Sequence, residues 1–170
     1  MTKQTLESKL NALLKLGERF LEEDSYKDAE FVLRKAIKID PKNSEGHYLL
    51  GEALCKQGEF EESVNSLKTA DQLLPNHSRI EHLLGWATFM NGDPNTGRVL
   101  LKKSLEKEPD NTSILCDLAV LENQQSNTDE ARKYALKAME LEPDNPMAQE
   151  VFQVVKFVSK IRSQLEKETN

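Results

Sequence analysis

The sequence predicts an all-α array of stacked helix pairs, and three observations carry that prediction. Pro41, Pro75, Pro109 and Pro143 stand 34 residues apart, each closing a similar short segment such as Ile39-Asp40-Pro41-Lys42-Asn43 or Leu141-Glu142-Pro143-Asp144-Asn145. Small residues keep the same period in three columns: Gly17, Gly51, Gly85 and Ala119; Ala29, Ser63, Gly97 and Ala131; Ala36, Ala70, Ser104 and Ala138. Between the prolines the apolar spacing is helical, as in Leu13, Leu16, Gly17 and Phe20 followed by Ala29, Leu33, Ala36 and Ile37, and no alternating β-pattern appears. Three small columns mean three places per repeat where two helices approach too closely for a large side chain.

The elements follow in order. Repeats occupy 10–43, 44–77, 78–111 and 112–145, after a nine-residue lead, within a single domain predicted over 1–170. Asp24-Ser25, Gly58-Glu59, Gly92-Asp93 and Ser126-Asn127 divide each repeat into an A and a B helix, since these are turn and N-cap residues midway between prolines. Each proline belongs at the turn between repeats, because it cannot continue a helix and restrains the residue before it. The tail predicts one long helix over 146–166. Its first half keeps the register of a fifth A helix, which predicts a cap over the end of the stack. It is also apolar on more than one side, and Val151, Val154, Phe157 and Val158 are the candidate residues for self-association, in a homodimer or higher stack.

This pattern resembles the tetratricopeptide repeat (TPR) family, whose Leu-Gly, Ala, Phe or Leu, Ala and Pro columns are matched in most positions. The resemblance implies a right-handed α-solenoid of four TPR repeats with a C-terminal capping helix. Departures are local: His47 and Glu81 stand at the fourth position, Glu122 replaces the aromatic at the eleventh, Pro94 enters the third A–B turn, and repeat four has Ala119 for the column glycine.

Charge and motifs bound the function. With 23 Lys and Arg against 29 Asp and Glu, the chain carries −6, which argues against nucleic-acid binding by phosphate neutralisation. The longest apolar run, Leu118-Ala119-Val120-Leu121, is far below the ~20 residues of a membrane span, so no membrane insertion is expected. Without a signal-peptide pattern the expected compartment is the cytoplasm. Cys55 and Cys116 lie outside any CxxC pair and read as buried or groove thiols. Phosphate-loop, dinucleotide, nucleophile-elbow and zincin motifs do not occur, and His47 with His82 lacks a third ligand, so neither an enzyme nor a metal or other cofactor is expected.

What remains is surface shape. At about 100° per residue, A-helix positions 4, 7, 8 and 11 cluster on one side and positions 2, 5, 9, 12 and 13 roughly opposite. In the resembled family the second set lines a concave groove that grips peptides. Carried over, it gives Tyr48, Glu52, Arg79, His82, Trp86, Phe89, Met90, Cys116 and Val120 as candidate groove residues. Trp86 is the chain's only tryptophan, and two readings stand for it: anchor of a mainly apolar peptide site, or a core residue packed against Val120 and Tyr48 or beneath the tail helix. The basic clamp with which some relatives hold acidic chaperone tails is absent. Its slots hold Leu14, Glu18, Leu49, Arg79 and Leu83, or one repeat later Tyr48, Glu52, Leu83, Ser113 and Asp117. The leading expectation is therefore a non-catalytic adaptor that holds a peptide or helix of a partner protein. The alternatives are a self-assembling scaffold built on the tail, or a small secretion-type chaperone, although such chaperones usually carry three repeats.

Overall fold

The computed structural model describes residues 3–168; residues 1, 2, 169 and 170 of the predicted domain lie outside the described residues. The A helices are α1 (Lys3–Glu22), α3 (Ser44–Gln57), α5 (Ser78–Met90) and α7 (Thr112–Gln124). The B helices are α2 (Tyr26–Ile39), α4 (Phe60–Leu73), α6 (Pro94–Lys107) and α8 (Thr128–Leu141), and the tail forms α9 (Pro146–Glu168). No strand occurs among the described residues. Each helix packs on its neighbours in sequence, with lesser contacts between successive A helices, which is the nearest-neighbour arrangement of a solenoid. Two boundaries differ from expectation: the lead is not separate, since α1 begins at Lys3 and continues through Leu10, and the tail helix runs to Glu168, two residues beyond 166.

The 34-residue period is visible in the turns. Two residues beyond the repeat prolines, Asn43 and Asn111 cap the next A helix, their side chains accepting from the backbone N–H of Gly46 and Ile114 at 2.7 and 3.2 Å. Asn145 does the same for Ala148 at 3.2 Å. The A–B turns each pass through the left-handed region at Asp24, Gly58, Gly92 and Ser126, with φ of 54°, 81°, 93° and 65°. Only glycine takes that conformation without cost, so repeats one and four hold it with a short polar residue instead.

The first small column is where each A helix meets its own B helix. A Cβ on Gly17 would lie 2.6 Å from Leu33 Cδ2, on Gly51 2.5 Å from Leu67 Cγ, and on Gly85 2.9 Å from Leu101 Cγ. The leucines share the 34-residue spacing, and in that register repeat four has Ala135. Ala119 and Ala135 are both buried. The missing glycine in repeat four is therefore balanced by a missing leucine, with one methyl group on each side of the contact.

The two ends are closed by polarity. On α3, α5 and α7, positions 3, 6 and 10 press on the preceding repeat, as Gly46, Leu49 and Ala53 do; on α1 the same positions are the exposed Ala12, Lys15 and Arg19. At the other end, α9 buries Ala148, Val151 and Val155 against repeat four. Its positions that would face a B helix of its own hold Gln149, Gln153 and Lys156, all exposed, beside a half-buried Phe152. The capping role expected for the tail is thus carried by one face of α9.

Candidate functional site

The concave strip is narrower than the expected one, for a geometric reason. An interior A helix is gripped from both sides: by its B helix at positions 4, 7, 8 and 11, and by the preceding repeat at 3, 6 and 10. The following repeat's positions 3, 6 and 10 rest in turn on positions 5 and 12, as Val151 and Val155 do on Cys116 and Ile114 and Leu121 on Phe89, which leaves positions 2, 9 and 13 as the open strip. The candidate residues sort accordingly.

Three of them do not reach the groove surface. Tyr48, at position 5, is 7% exposed and roofed by the Arg79 guanidinium, 4.2 Å above its ring. Burial pushes its hydroxyl up to about 12, with Glu52 adding to the effect. Cys116, also at position 5, is fully buried among Ala119, Val151 and Val155. Phe89, at position 12, belongs to the core with Leu101, Ile114, Leu118 and Leu121. Gly97 lets α6 close on the backbone of α5 beside it: a Cβ there would stand 2.8 Å from both Phe89 Cβ and the Gly85 carbonyl oxygen. Among the tail candidates, Val151 is likewise core.

The remaining residues form the strip. Trp86 is half-buried, its ring edge-on to Phe89 at 5.5 Å between centroids, so it has one face on the core and one toward the groove. Met90 is 38% exposed and Val120 half-buried. Val120, Asn123 and Gln124 of α7 face Glu150 and Val154 of α9 across a cleft of about 330 Å³ floored by Val151 and Val155. The groove and tail candidates, separate in sequence, thus adjoin: position 9 reads Glu18, Glu52, Trp86, Val120, Val154 from the first helix to the last. Val154 and Phe157 stand 48% and 66% exposed, and Val158 is half-buried. One end of the lane is acidic and the other apolar.

Fixed polar groups line its middle. Arg79 is held by Glu45 at 3.5 Å besides covering Tyr48. His82 Nε2 lies 2.7 Å from Oδ2 of Asp117, a pairing that position-by-position reading did not find, although a carboxylate at position 6, where Leu49 and Leu83 stand in other repeats, was a visible signal. Burial pushes the Asp117 carboxyl up, opposed by His82. His47 is engaged elsewhere, its Nε2 3.0 Å from the Pro41 carbonyl oxygen. Burial raises both thiols, Cys55 and Cys116, to about 11, so neither is ionised near neutral pH as a nucleophile requires.

Comparisons with known proteins agree with this architecture. Residues 2–149 match the family described as the cytochrome c-type biogenesis protein H TPR domain. A search of curated protein sequences finds no match. Among solved structures, MamA is similar at 24% identity, covering 83% of this chain and 84% of its own, with a TM-score of 0.70. YrrB, described as a TPR protein with an unusual peptide-binding site, aligns at 20% identity over 85% of this chain and 74% of its own, TM-score 0.72. The thermophilic TPR protein TTC0263 of Thermus thermophilus aligns at 21% identity over 87% and 81%, TM-score 0.76. These likenesses show the fold, and the match across residues 2–149, with the 34-residue columns seen in three dimensions, shows the family: the chain belongs to the TPR proteins, in the family of the cytochrome c-type biogenesis protein H TPR domain.

Proposed function

We propose that this protein is a non-catalytic adaptor that holds a peptide or helix of a partner protein along the concave lane, with Trp86 as anchor. The observation that carries the reading is the run of partly exposed apolar side chains, Trp86, Met90, Val120, Val154 and Phe157, along the concave strip that A-helix packing leaves open. Interfaces are enriched in aromatic and Met side chains at their centres. Glu52 and Arg79 supply opposite charges at the rim and set the direction in which a ligand lies. YrrB's description lends support for a peptide ligand, and the biogenesis family name for an assembly role. A formal charge of −6 favours protein over nucleic acid as partner. Among the described residues no helix is long and apolar enough to cross a membrane. Two free, poorly ionised thiols suit the reducing cytoplasm, which we propose as the compartment; cell fractionation checks it.

The test is affinity capture with wild type and Trp86→Ala as baits, followed by titration of the captured segment. Truncating the anchor is expected to weaken binding by about 2 kcal/mol, roughly thirtyfold. Equal affinity of the two baits contradicts the site. Lys56→Ala, an exposed change at position 13 of the same lane, is expected to leave stability within about 0.5 kcal/mol and serves as a control for folding only.

A further inference from the structure

The four A–B turns close in one way, and one of them carries a reactive pair. In each, two backbone N–H groups return to carbonyls at the end of the A helix: Asp24 to Leu21 and Ser25 to Phe20, Gly58 to Cys55 and Glu59 to Leu54, Gly92 to Phe89 and Asp93 to Thr88, Ser126 to Asn123 and Asn127 to Glu122. The residue before the left-handed position is Glu23, Gln57, Asn91 and Gln125 in turn. Only repeats two and three follow it with glycine, so Gln57-Gly58 and Asn91-Gly92 share one backbone and differ by one methylene. That methylene decides the chemistry. The Gly92 nitrogen reaches Cγ of Asn91 by closing a five-membered ring, whereas the carboxamide of Gln57 would need a six-membered one. No other Asn-Gly pair occurs in the sequence. Asn91 and Gly92 are both exposed, and the Asn91 side chain makes no hydrogen bond among the described residues. Asn43, Asn76, Asn111, Asn127 and Asn145, in the other turns, are all engaged through their side chains, and Gln57 donates to Glu30 and to the Ala53 carbonyl oxygen. A Cβ on Gly92 would meet nothing within 4 Å, so nothing crowds its nitrogen from outside. What restrains the pair is the bond from Gly92 N–H to the Phe89 carbonyl oxygen, 3.0 Å, at a helix end, where local opening costs least.

We propose that Asn91-Gly92 is a site of spontaneous covalent modification, at which the A–B turn of repeat three converts from asparagine to isoaspartate and aspartate as the protein ages. The Gly92 nitrogen, released from Phe89, bonds to Asn91 Cγ and gives up its proton. The Cγ–Nδ2 bond breaks, and the amide nitrogen leaves as ammonia with that proton. Water then opens the resulting succinimide at either carbonyl: cleavage between nitrogen and Cγ gives aspartate, and cleavage between nitrogen and the backbone carbonyl carbon gives isoaspartate. Either product sets a carboxylate against the last carbonyls of α5, where the helix macrodipole disfavours it. Isoaspartate also threads Cβ into the main chain inside the loop that Asp93 closes on Thr88, so the cap no longer fits. Met90 adjoins this turn and Trp86 lies one helical turn before it, so the conversion loosens repeat three beside the lane. The inference needs no ligand and stands apart from the reading of the lane as a binding surface.

The test incubates the full chain at mildly alkaline pH and follows its tryptic fragments by tandem mass spectrometry. The fragment between Arg79 and Arg98 holds both Asn91 and Asn95, so one spectrum compares the reactive pair with a neighbour. The expected result is an amide-to-acid mass gain at residue 91, eluting as two products and outpacing every other asparagine by about tenfold or more. Asn91→Gln, which rebuilds the turn of repeat two, is expected to abolish conversion at that position with helicity by circular dichroism unchanged. Aged wild type is expected to unfold at lower urea than fresh protein, and Asn91→Gln to keep its midpoint through the same incubation. Conversion of Asn91 no faster than that of Asn95, or conversion only in the urea-unfolded chain, overturns the proposal. So does a midpoint that falls as far on ageing in Asn91→Gln as in wild type, which places the loss outside this turn.

Discussion

Leu67→Ala is expected to destabilise the protein by about 2–5 kcal/mol, because it empties a fully buried site whose neighbours can close only in part. Gly51→Ala is expected to cost about 1–2 kcal/mol. Its Cβ would lie 2.5 Å from Leu67 Cγ, an overpacking offset in part by the better helix propensity of alanine. The two together should cost less than Leu67→Ala alone, since the new methyl group enters the space that the leucine leaves. That double variant rebuilds in repeat two the contact that Ala119 and Ala135 make in repeat four. Urea unfolding of the four proteins, with midpoints compared at constant slope, measures the coupling. Additive losses would show that the glycine and leucine columns do not exchange volume as described.

Arg98→Ala should be as severe, at about 3–5 kcal/mol, because it strands a buried charge. Glu122 is 1% exposed; it accepts from Arg98 Nε at 2.7 Å and Nη2 at 3.1 Å, and from Asn127 Nδ2 at 2.6 Å. Adding Glu122→Leu should recover most of the loss, because the unpaired carboxylate is then gone. A pH dependence follows from the same carboxylate and from Glu81, which pairs with Lys103 and Lys107. Burial alone would push both carboxyls up, but their hydrogen-bonded cations outweigh it and hold both below the ordinary glutamate value of 4.5. A carboxyl lowered on folding contributes its full stabilisation above the unfolded-state value and loses it as pH falls through the lowered one. The urea midpoint is therefore expected to drop on acidification below about pH 4.5, and to drop less in Arg98→Ala.

How much of this was legible follows from which residues mark position. The four prolines and the small columns placed the repeat boundaries, since a breaker and a close helix contact are both local necessities. Residues 3–9 carry no such landmark, so the helical lead was not legible from the period. The groove was legible only by column. Counting positions 2, 5, 9, 12 and 13 as one face leaves out the following repeat, whose A helix closes over position 5, and so Tyr48 and Cys116 read as surface residues in the sequence. Phe89 differs, because the residues that enclose it, Leu101, Ile114, Leu118 and Leu121, lie in the next two helices and only the fold brings them to it. Glu81 and Glu122 look like departures from the repeat pattern until Lys103 and Lys107 are seen across the A–B contact of repeat three and Arg98 across the contact between repeats three and four. That Val154 lies two periods beyond Trp86 was countable in the sequence, and it joins two candidate sites into one lane.

The central claim is that Trp86 stands half on the core and half in an open lane. Because it is the only tryptophan, its fluorescence reports that position without interference. The direct measurement is quenching by acrylamide, which is neutral and so unbiased by the acidic surface, for the free protein and for its complex with a captured partner segment. The expected result is an indole that is quenched in the free protein and protected in the complex, with an emission shift to shorter wavelength as water leaves the lane. An indole that resists quenching in the free protein, and does not respond to the partner, would place Trp86 in the core and contradict the site.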